Sequence, residues 1–279
     1  MRFAKYHALG NDYLVFEETD WPGLDPSVVR RVCDRHLGIG SDGVLLRAAS
    51  RNGEAHCLRI FNPDGSEAEK SGNGLRIFAR YLWDHGVVGD QSFAVSTAGG
   101  DVRCLVHEGG QSVSVDMGRA SFHSASIPVT RPPREVLRET LSAGGRTIEF
   151  SAVTIGNPHC VILSERARAA DAKLLGPLVE TDPRFPNRTN VQLLEVLDRA
   201  NLKIEIWERG AGYTLASGSS SCAAAAVARR LALCEAAVTV HMPGGQLAIE
   251  VDEEFSVRMT GAVVRVAEGR ASADALEGA

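Results

Sequence analysis

The sequence predicts an α+β fold of two pseudo-symmetric domains, each a curved, mostly antiparallel, barrel-like sheet wrapped around one central helix. Three observations predict it: an internal repeat, strand patterns that recur in the same order in both halves, and one long apolar helix in each half. The chain has 279 residues and 44% hydrophobic content. It is therefore long enough to bury a core in each of two domains.

The repeat appears when the sequence is compared with itself at an offset of 146 residues. HALGNDYLVF, from His7, then falls on VTIGNPHCVI, and IFNPDGSEAEKSGNG, from Ile60, falls on IWERGAGYTLASGSS. This places Ser71 on Ser217. With a slip of one residue, STAGGDVRCLV, from Ser96, falls on HMPGGQLAIEV, and SVSVDMG falls loosely on SVRMTG. Matches in one order at nearly one offset indicate a duplicated unit.

Period-two patterns predict strands in both halves of the chain. In the first half they cover 13–16, 58–61, 93–96, 102–106 and 112–116, and in the second half 160–163, 203–207, 238–241, 247–251 and 256–259. Helices are predicted over 74–84 and 220–232, with shorter ones near 26–35 and 168–175. An alanine-rich helix such as CAAAAVARRLALC is typical of a core helix covered by sheet.

The repeat also sets the predicted domains. The first covers residues 1–120, with a strand from the C-terminus as a candidate to complete it, and the second covers 121–266. The stretch 121–149, rich in proline, is predicted to carry the crossover between them. Residues 267–279 are predicted to be a frayed tail.

Charge and composition argue against several classes of partner. The net charge is −5, and 30 basic and 35 acidic residues are mixed along the chain, so no basic stripe indicates nucleic acid or an anionic membrane. The N-terminus MRFAKYHALGND lacks the apolar run of a signal peptide, and no apolar stretch is long enough for a membrane span, which predicts a cytoplasmic protein. The six cysteines form no CxxC pair, so free thiols and no metal site are expected.

The two long helices begin alike, with SGNGLRIFARYL after Lys70 and SGSSSCAAAAVARRL after Ala216. The first N–H groups of a helix lack internal partners and carry partial positive charge, so a carboxylate or oxyanion fits there. Ser71 and Ser217 are also good N-cap residues, which is the commonest role of serine at such a position. The duplication favours a functional role for the pair, in a cleft between the two domains.

These motifs resemble those of the diaminopimelate epimerase family. FNPDGSEAEKSGNG and ERGAGYTLASGSSSC are similar to its two active-site motifs, and HALGNDYLVF, RHLGIGSDG, IGNPHCV, FPNRTNVQ and TAGG to its other signatures, in the same order. The resemblance implies a two-domain, cofactor-independent isomerase of amino acids that needs neither pyridoxal phosphate nor metal. It also implies a role in lysine biosynthesis, a small-molecule amino-acid substrate and a possible homodimer.

In that family one cysteine from each domain faces the substrate Cα, and one thiolate takes a proton while the opposite thiol returns one. The matching positions here are Ser71 and Ser217. The resemblance further implies that the non-reacting end of the substrate and the reacting carboxylate are held by separate sets. The first set is Asn11, Asn62, Asn157, Asn190, Glu208 and Arg209, and the second is Gly72, Asn73, Gly218 and Ser219.

The sequence departs from the family pattern at further positions. Tyr213 stands where the family usually has glutamate in GAGET, and Gly43 stands where some members have glutamine. A serine hydroxyl is also much less acidic than a thiol and needs a neighbouring base to be activated. The candidate neighbours in the sequence are Lys70, Glu67, Glu69 and His159.

Four interpretations follow from these residues. The first is an amino-acid epimerase that uses Ser71 and Ser217, and the second is a related enzyme of elimination, dehydration or proton shift on a more acidic C–H bond. The third is a catalytically silent protein that binds an amino acid. The fourth is an epimerase in which both cysteines have been replaced to capture substrate.

Overall fold

A computed structural model describes residues 1–21, 25–49 and 55–277 of the chain. The chain divides into two compact units. Unit 1 comprises Met1–Val115 and Gly261–Ala279, and unit 2 comprises Asp116–Thr260. The last strand of the chain therefore belongs to the same unit as the first.

The described strands and helices are numbered in chain order. The strands are β1 (Arg2–Ala8), β2 (Asn11–Glu17), β3 (Val44–Ala48), β4 (His56–Phe61), β5 (Glu67–Ala68), β6 (Phe93–Thr97), β7 (Gly100–His107), β8 (Ser112–Arg119), β9 (Glu139–Ala143), β10 (Arg146–Thr154), β11 (Pro158–Leu163), β12 (Asn190–Val196), β13 (Asn201–Glu208), β14 (Gly212–Thr214), β15 (Ala237–Met242), β16 (Gly245–Val251), β17 (Ser256–Ala262) and β18 (Val264–Arg270). The α-helices are α1 (Pro26–Cys33), α2 (Gly72–Asp84), α3 (Ala169–Glu180), α4 (Gly218–Arg230) and α5 (Ala273–Glu277).

The strand ladders of the two units follow the same order. In unit 1, β1 pairs antiparallel with β2, β2 runs parallel to β3, β3 pairs antiparallel with β4, and β4 runs parallel to β6. In unit 2, β10, β11, β12, β13 and β15 repeat that series of directions. Parallel neighbours need a long crossover, and in both units an α-helix lies between them in sequence. The internal duplication is thereby confirmed at the level of topology.

The helices α2 and α4 lie at the centre of their units. Most of their residues are buried, including the alanines Ala223–Ala226 of α4, which are fully buried. In unit 2, α4 packs against β10, β11, β12, β13, β15 and β16, so the sheet curves around it. The small side chains allow that close approach on every side of the helix. The predicted α+β class, with mostly antiparallel sheets around a central helix, is confirmed.

The structure differs from the prediction in two segments. The predicted crossover over 121–149 contains β9 and the start of β10, which form an antiparallel hairpin. Part of the predicted frayed tail, 267–270, belongs to β18, which pairs with β1 from Arg2 to His7. A further part, Ala273–Glu277, forms α5, which contacts α1. The residues of β18 are mostly exposed, so their sequence shows no hydrophobic alternation. Backbone hydrogen bonds to β1, rather than side-chain burial, therefore hold β18 in place. Residues 278 and 279 lie outside the described residues.

Several strands were also missed by the period-two analysis. β3 and β12 each run parallel to a neighbour and are buried on both faces near their starts, so they read as continuous apolar runs. β1 places Ala4, Tyr6 and Ala8 inward, and alanine is a weak strand signal. Within the described residues, no helix is long and apolar enough to cross a membrane.

Candidate active site

Ser71 and Ser217 are the N-cap residues of α2 and α4. Both have extended backbone, with φ −139° and ψ 119° at Ser71 and φ −147° and ψ 123° at Ser217. Oγ of Ser71 accepts the N–H of Gly74 at 3.0 Å, and Oγ of Ser217 accepts that of Ser220 at 3.4 Å. The capping role expected of serine is confirmed. It also places each oxygen at the positive end of a helix dipole.

The Ser71 hydroxyl has an aromatic neighbour. The phenol oxygen of Tyr13, on β2, lies 3.3 Å from Ser71 Oγ, and either oxygen can donate. The ring of Tyr13 passes Gly43, where an added Cβ would lie 2.6 Å from ring carbon Cε1. Gly43 therefore makes room for Tyr13, which gives a physical reason for the absence of a larger residue at this position.

Asn11 and Asn73 join the start of α2 to β2. Asn73 donates its amide to Oδ1 of Asn11 at 2.9 Å, and Arg76 donates to Oδ1 of Asn73 at 2.8 Å. Asn11 in turn donates to Oδ2 of Asp42 at 3.0 Å. Asn73 and Arg76 are buried, so these contacts fix the first turn of the helix beside Ser71. The sequence analysis assigned both asparagines to the site but missed Arg76 and Asp42.

The Ser217 hydroxyl has a carboxylate neighbour. Half-buried Glu208, at the end of β13, lies close enough for its carboxylate to interact with this hydroxyl. Burial raises the pKa of Glu208 above its ordinary value, and the interaction with Ser217 acts in the opposite direction. A carboxylate with a raised pKa is a stronger base than an exposed one. The structure thus brings together two predicted site residues that are nine positions apart in the sequence.

A chain of buried polar groups connects the start of α4 to β11. Gln192 donates through Nε2 to Ser220 Oγ at 3.0 Å and to His159 Nδ1 at 3.1 Å. Since His159 Nδ1 accepts, its Nε2 carries the hydrogen and donates to Asn157 Oδ1 at 2.9 Å. Burial lowers the pKa of His159 to about 3, so its imidazole is neutral at pH 7. Asn157 and His159 are therefore linked through Gln192 to the side chain of Ser220 at the start of α4.

Asn190 and Arg209 meet at the turn that follows β13. Asn190 accepts the backbone N–H of Arg209 at 2.9 Å and donates to the carbonyl of Pro158 at 2.9 Å. The guanidinium of Arg209 donates to the carbonyl of Asn187 at 3.1 Å. Asn190 is 6% exposed, so its amide braces the turn that carries Glu208 and Arg209.

Glu180, which the sequence analysis missed, supports the same turn from α3. Its carboxylate accepts the indole N–H of Trp207 at 2.7 Å and the backbone N–H of Gly210 at 3.0 Å. Glu180 is 6% exposed. No local pattern in the sequence marks this residue, because its partners lie about 30 positions away.

The remaining predicted residues have simpler surroundings. Asn62 is exposed and donates to Ser66 Oγ at 3.0 Å, in the turn between β4 and β5. Gly72 and Gly218 are the buried first residues of α2 and α4, and Ser219 follows Gly218. Of the acidic candidates near Ser71, Glu67 forms a surface ion pair with Arg59 at 2.8 Å.

Tyr213, the departure in the GAGYT motif, lies on β14 and packs against the core of unit 2. Its hydroxyl donates to Oε2 of Glu205 at 2.7 Å, and the ammonium of Lys173 lies 4.7 Å from its ring centre. Burial and the bond to Glu205 raise the pKa of Tyr213 to about 12. Tyr213 thus stays protonated at neutral pH and couples β14 to β13 and α3.

The fold is shared with solved racemases and epimerases. A hydroxyproline epimerase from Agrobacterium vitis superposes with a TM-score of 0.72 at 15% identity, covering 99% of this chain and 92% of the other. A phenazine biosynthesis protein from Bacillus anthracis gives a TM-score of 0.67 at 14% identity, covering 96% and 98%. These likenesses define the fold class, a two-domain α+β scaffold.

Sequence comparison identifies the family within that class. The family model for diaminopimelate epimerase matches residues 3–123 and 151–266. Diaminopimelate epimerase 2 of Nostoc sp. (strain PCC 7120 / SAG 25.82 / UTEX 2576) is 52% identical over 276 residues, covering 98% of this chain and 96% of the relative. Diaminopimelate epimerase of Pelotomaculum thermopropionicum is 42% identical over 275 residues, covering 96% and 98%. The chain belongs to the diaminopimelate epimerase family, an isomerase family of the cofactor-independent epimerase and racemase type.

Proposed function

We propose that this protein epimerises an amino acid of the diaminopimelate class by exchanging the proton on Cα, with Ser217 and Glu208 forming the base. The observation that carries the proposal is the proximity of the Ser217 hydroxyl, at the start of α4, to the half-buried carboxylate of Glu208. The names of the relatives support diaminopimelate as the first substrate to test.

The proposed step moves two protons. The Cα–H bond breaks, its proton passes to Ser217 Oγ, and the Ser217 hydroxyl proton passes to Glu208. The electron pair left on Cα delocalises into the substrate carboxylate. A neighbouring base is necessary because a serine hydroxyl alone is a poor proton acceptor. Glu208 supplies it, and its raised pKa brings it closer to the working pH.

The start of α4 suits the charge that develops in this step. The N–H groups of Gly218 and Ser219 open the helix, and such groups stabilise an oxyanion. We propose that they hold the substrate carboxylate while it becomes enediolate-like. The start of α2, with Gly72 and Asn73, is the corresponding candidate in unit 1.

We propose Ser71 as the group that returns a proton to Cα. Its support is the equivalence of the two helix starts, since each serine caps an equivalent helix and accepts an N–H three residues later. Asn62, Asn157, Asn190 and Arg209 are proposed to hold or frame the non-reacting end of the substrate, together with Asn11. The contacts of Asn190 and Asn157 favour a framing role for those two.

Incubation in D2O with diaminopimelate, lysine, ornithine and histidine tests the proposal. Deuterium at Cα together with loss of chirality supports epimerisation. Loss of water or of a β-substituent from a substrate instead indicates elimination. Thermal stabilisation by a ligand without any turnover indicates binding only.

A double variant separates the scaffold from the catalytic groups. Ser71→Cys together with Ser217→Cys restores the residues expected from the family. If that variant exchanges Cα protons of diaminopimelate and the wild type does not, the scaffold recognises the substrate and the serines do not catalyse the step.

A further inference from the structure

Ser71 differs from Ser217 in the group that neighbours its hydroxyl. Oγ of Ser71 accepts the Gly74 N–H at 3.0 Å and lies 3.3 Å from the phenol oxygen of Tyr13. Tyr13 is 7% exposed, so protein rather than bulk water surrounds most of its side chain. Where Ser217 has a carboxylate, Ser71 has a phenol.

The position of Tyr13 is built into the backbone. Tyr13 lies on β2 opposite Tyr6 of β1, and the residue after it donates its N–H to the carbonyl of Gly43 at 3.1 Å. A side chain at Gly43 would collide with the Tyr13 ring, at 2.6 Å for its Cβ. The ring therefore occupies space that only a glycine leaves free.

The internal repeat gives a second observation. At the offset of 146 residues Tyr13 falls on His159, so the same strand position carries a polar ring in both units. In unit 2 that ring is linked through Gln192 to Ser220, whose N–H is accepted by Ser217. In unit 1 the corresponding ring reaches the capping serine itself.

We propose that Tyr13 is a positioning residue for Ser71, and that its hydroxyl holds the Ser71 proton in either of two hydrogen-bond directions. This inference rests on the proposed function. When Tyr13 donates to Ser71 Oγ, the Ser71 O–H is free to donate to substrate. When Tyr13 is a phenolate, Ser71 donates to it, and Ser71 Oγ accepts a proton while its own proton passes to Tyr13.

An epimerase residue such as Ser71 has two tasks, since it gives a proton to Cα in one reaction direction and removes a proton from Cα in the other. Each of the two hydrogen-bond directions between Tyr13 and Ser71 suits one of these tasks. When Ser71 gives its proton to Cα, the bond from Ser71 to hydrogen breaks and the C–H bond forms. The oxyanion left on Ser71 then receives the Tyr13 proton, since a phenol is more acidic than an alkyl alcohol, and Tyr13 becomes the phenolate that takes the Ser71 proton in the opposite reaction direction. The Gly74 N–H stabilises the oxygen throughout.

Removal of one hydroxyl tests the proposal. Tyr13→Phe keeps the ring beside Gly43, and Tyr81→Phe is a matched control, since the Tyr81 hydroxyl donates to Glu17 at 2.7 Å in the same unit. With diaminopimelate as the probe, we expect Tyr13→Phe to lower kcat by about ten- to hundredfold, the effect of losing one hydrogen bond to a developing charge. KM and the melting temperature should stay near those of Tyr81→Phe. Equal kcat values for the two variants would overturn the inference.

A second measurement does not depend on turnover. In Ser71→Cys, a hydroxyl beside the sulfur stabilises the thiolate, so alkylation by iodoacetamide at pH 7, followed at the peptide containing residue 71, reports the contact. Adding Tyr13→Phe should slow this alkylation about threefold, because the gain in thiolate nucleophilicity offsets part of the loss of thiolate. An unchanged rate would refute the contact. A wild type that never exchanges diaminopimelate would instead refute the proposed function and leave the alkylation result standing.

Discussion

Glu180 offers a test of how the Glu208 turn is held. It is the last residue of α3 and is 6% exposed, yet it carries a carboxylate at the negative end of a helix dipole. That unfavourable placement is offset by the N–H groups of Trp207 and Gly210, at 2.7 and 3.0 Å. Both donors lie beside the proposed base, Glu208.

The magnitude follows from these two hydrogen bonds. A bond to a charged group contributes about 1.5–3 kcal/mol, so Glu180→Ala should cost about 3 kcal/mol from the lower end of that range. Glu180→Gln keeps one acceptor oxygen and should cost about half as much. For a domain of this size, about 3 kcal/mol corresponds to a melting temperature lower by about 6–12 °C.

Calorimetric melting and steady-state kinetics together test this estimate. Glu135→Ala is the matched control, because Glu135 pairs with Arg230 at 2.6 Å in the same unit but is 51% exposed. Exposed pairs contribute about 0–1 kcal/mol, so the control should melt near the wild type. Glu180→Ala should also lower kcat, since the turn that carries Glu208 loses its anchor. Equal melting temperatures for Glu180→Ala and Glu135→Ala would refute the reasoning.

Three other changes have defined outcomes. Glu208→Gln should abolish Cα exchange and raise thermal stability at pH 7. Because the pKa of Glu208 is raised in the folded protein, the folded carboxyl binds its proton more tightly than the unfolded one. The stability of the wild type therefore falls as the pH rises from about 4.3 through the raised pKa. The gain should vanish in melts at pH 4. Gly43→Gln should displace Tyr13 and lower both stability and kcat, because an added Cβ would lie 2.6 Å from both Tyr13 Cε1 and the carbonyl oxygen of Phe61; a melting temperature and kcat equal to those of the wild type would contradict this packing. Gly176→Ala would place a Cβ against Cγ of Trp207. This overpacking should lower the free energy of unfolding, measured in urea, by about 1–3 kcal/mol, although alanine favours helices more than glycine does. A more stable variant would contradict this packing.

Most of the fold prediction followed from the internal repeat, which indicated two similar domains. The equivalence of Ser71 and Ser217 predicted that both cap equivalent helices, and the ladders of the two units follow the same series of directions. The hairpin of β9 and β10 was missed, and residues 267–270 of β18 were assigned to a frayed tail although a C-terminal strand was a candidate to complete the first domain. Backbone hydrogen bonding orders β18, and exposed strands carry no hydrophobic alternation for a sequence pattern to detect.

The site was predicted less completely than the fold. Family motifs predicted the serines, Glu208 and the asparagines as site residues, but not which of them contact one another. Gln192 and Glu180 act through partners about 30 residues distant, which no local spacing reveals. Gly43 leaves space for the Tyr13 ring because β2 and β3 run side by side in the sheet. The sequence alone showed that Gly43 has no side chain, but not that Tyr13 is its neighbour.

The base that we propose, formed by Ser217 and Glu208, is tested most directly by Cα deuterium incorporation. Wild type, Ser217→Ala and Ser71→Ala are incubated with diaminopimelate in D2O, and the label is followed by mass spectrometry. We expect the wild type to incorporate deuterium at Cα, and Ser217→Ala to lose that exchange. Undiminished exchange in Ser217→Ala would contradict the assignment of Ser217 as the group that takes the proton.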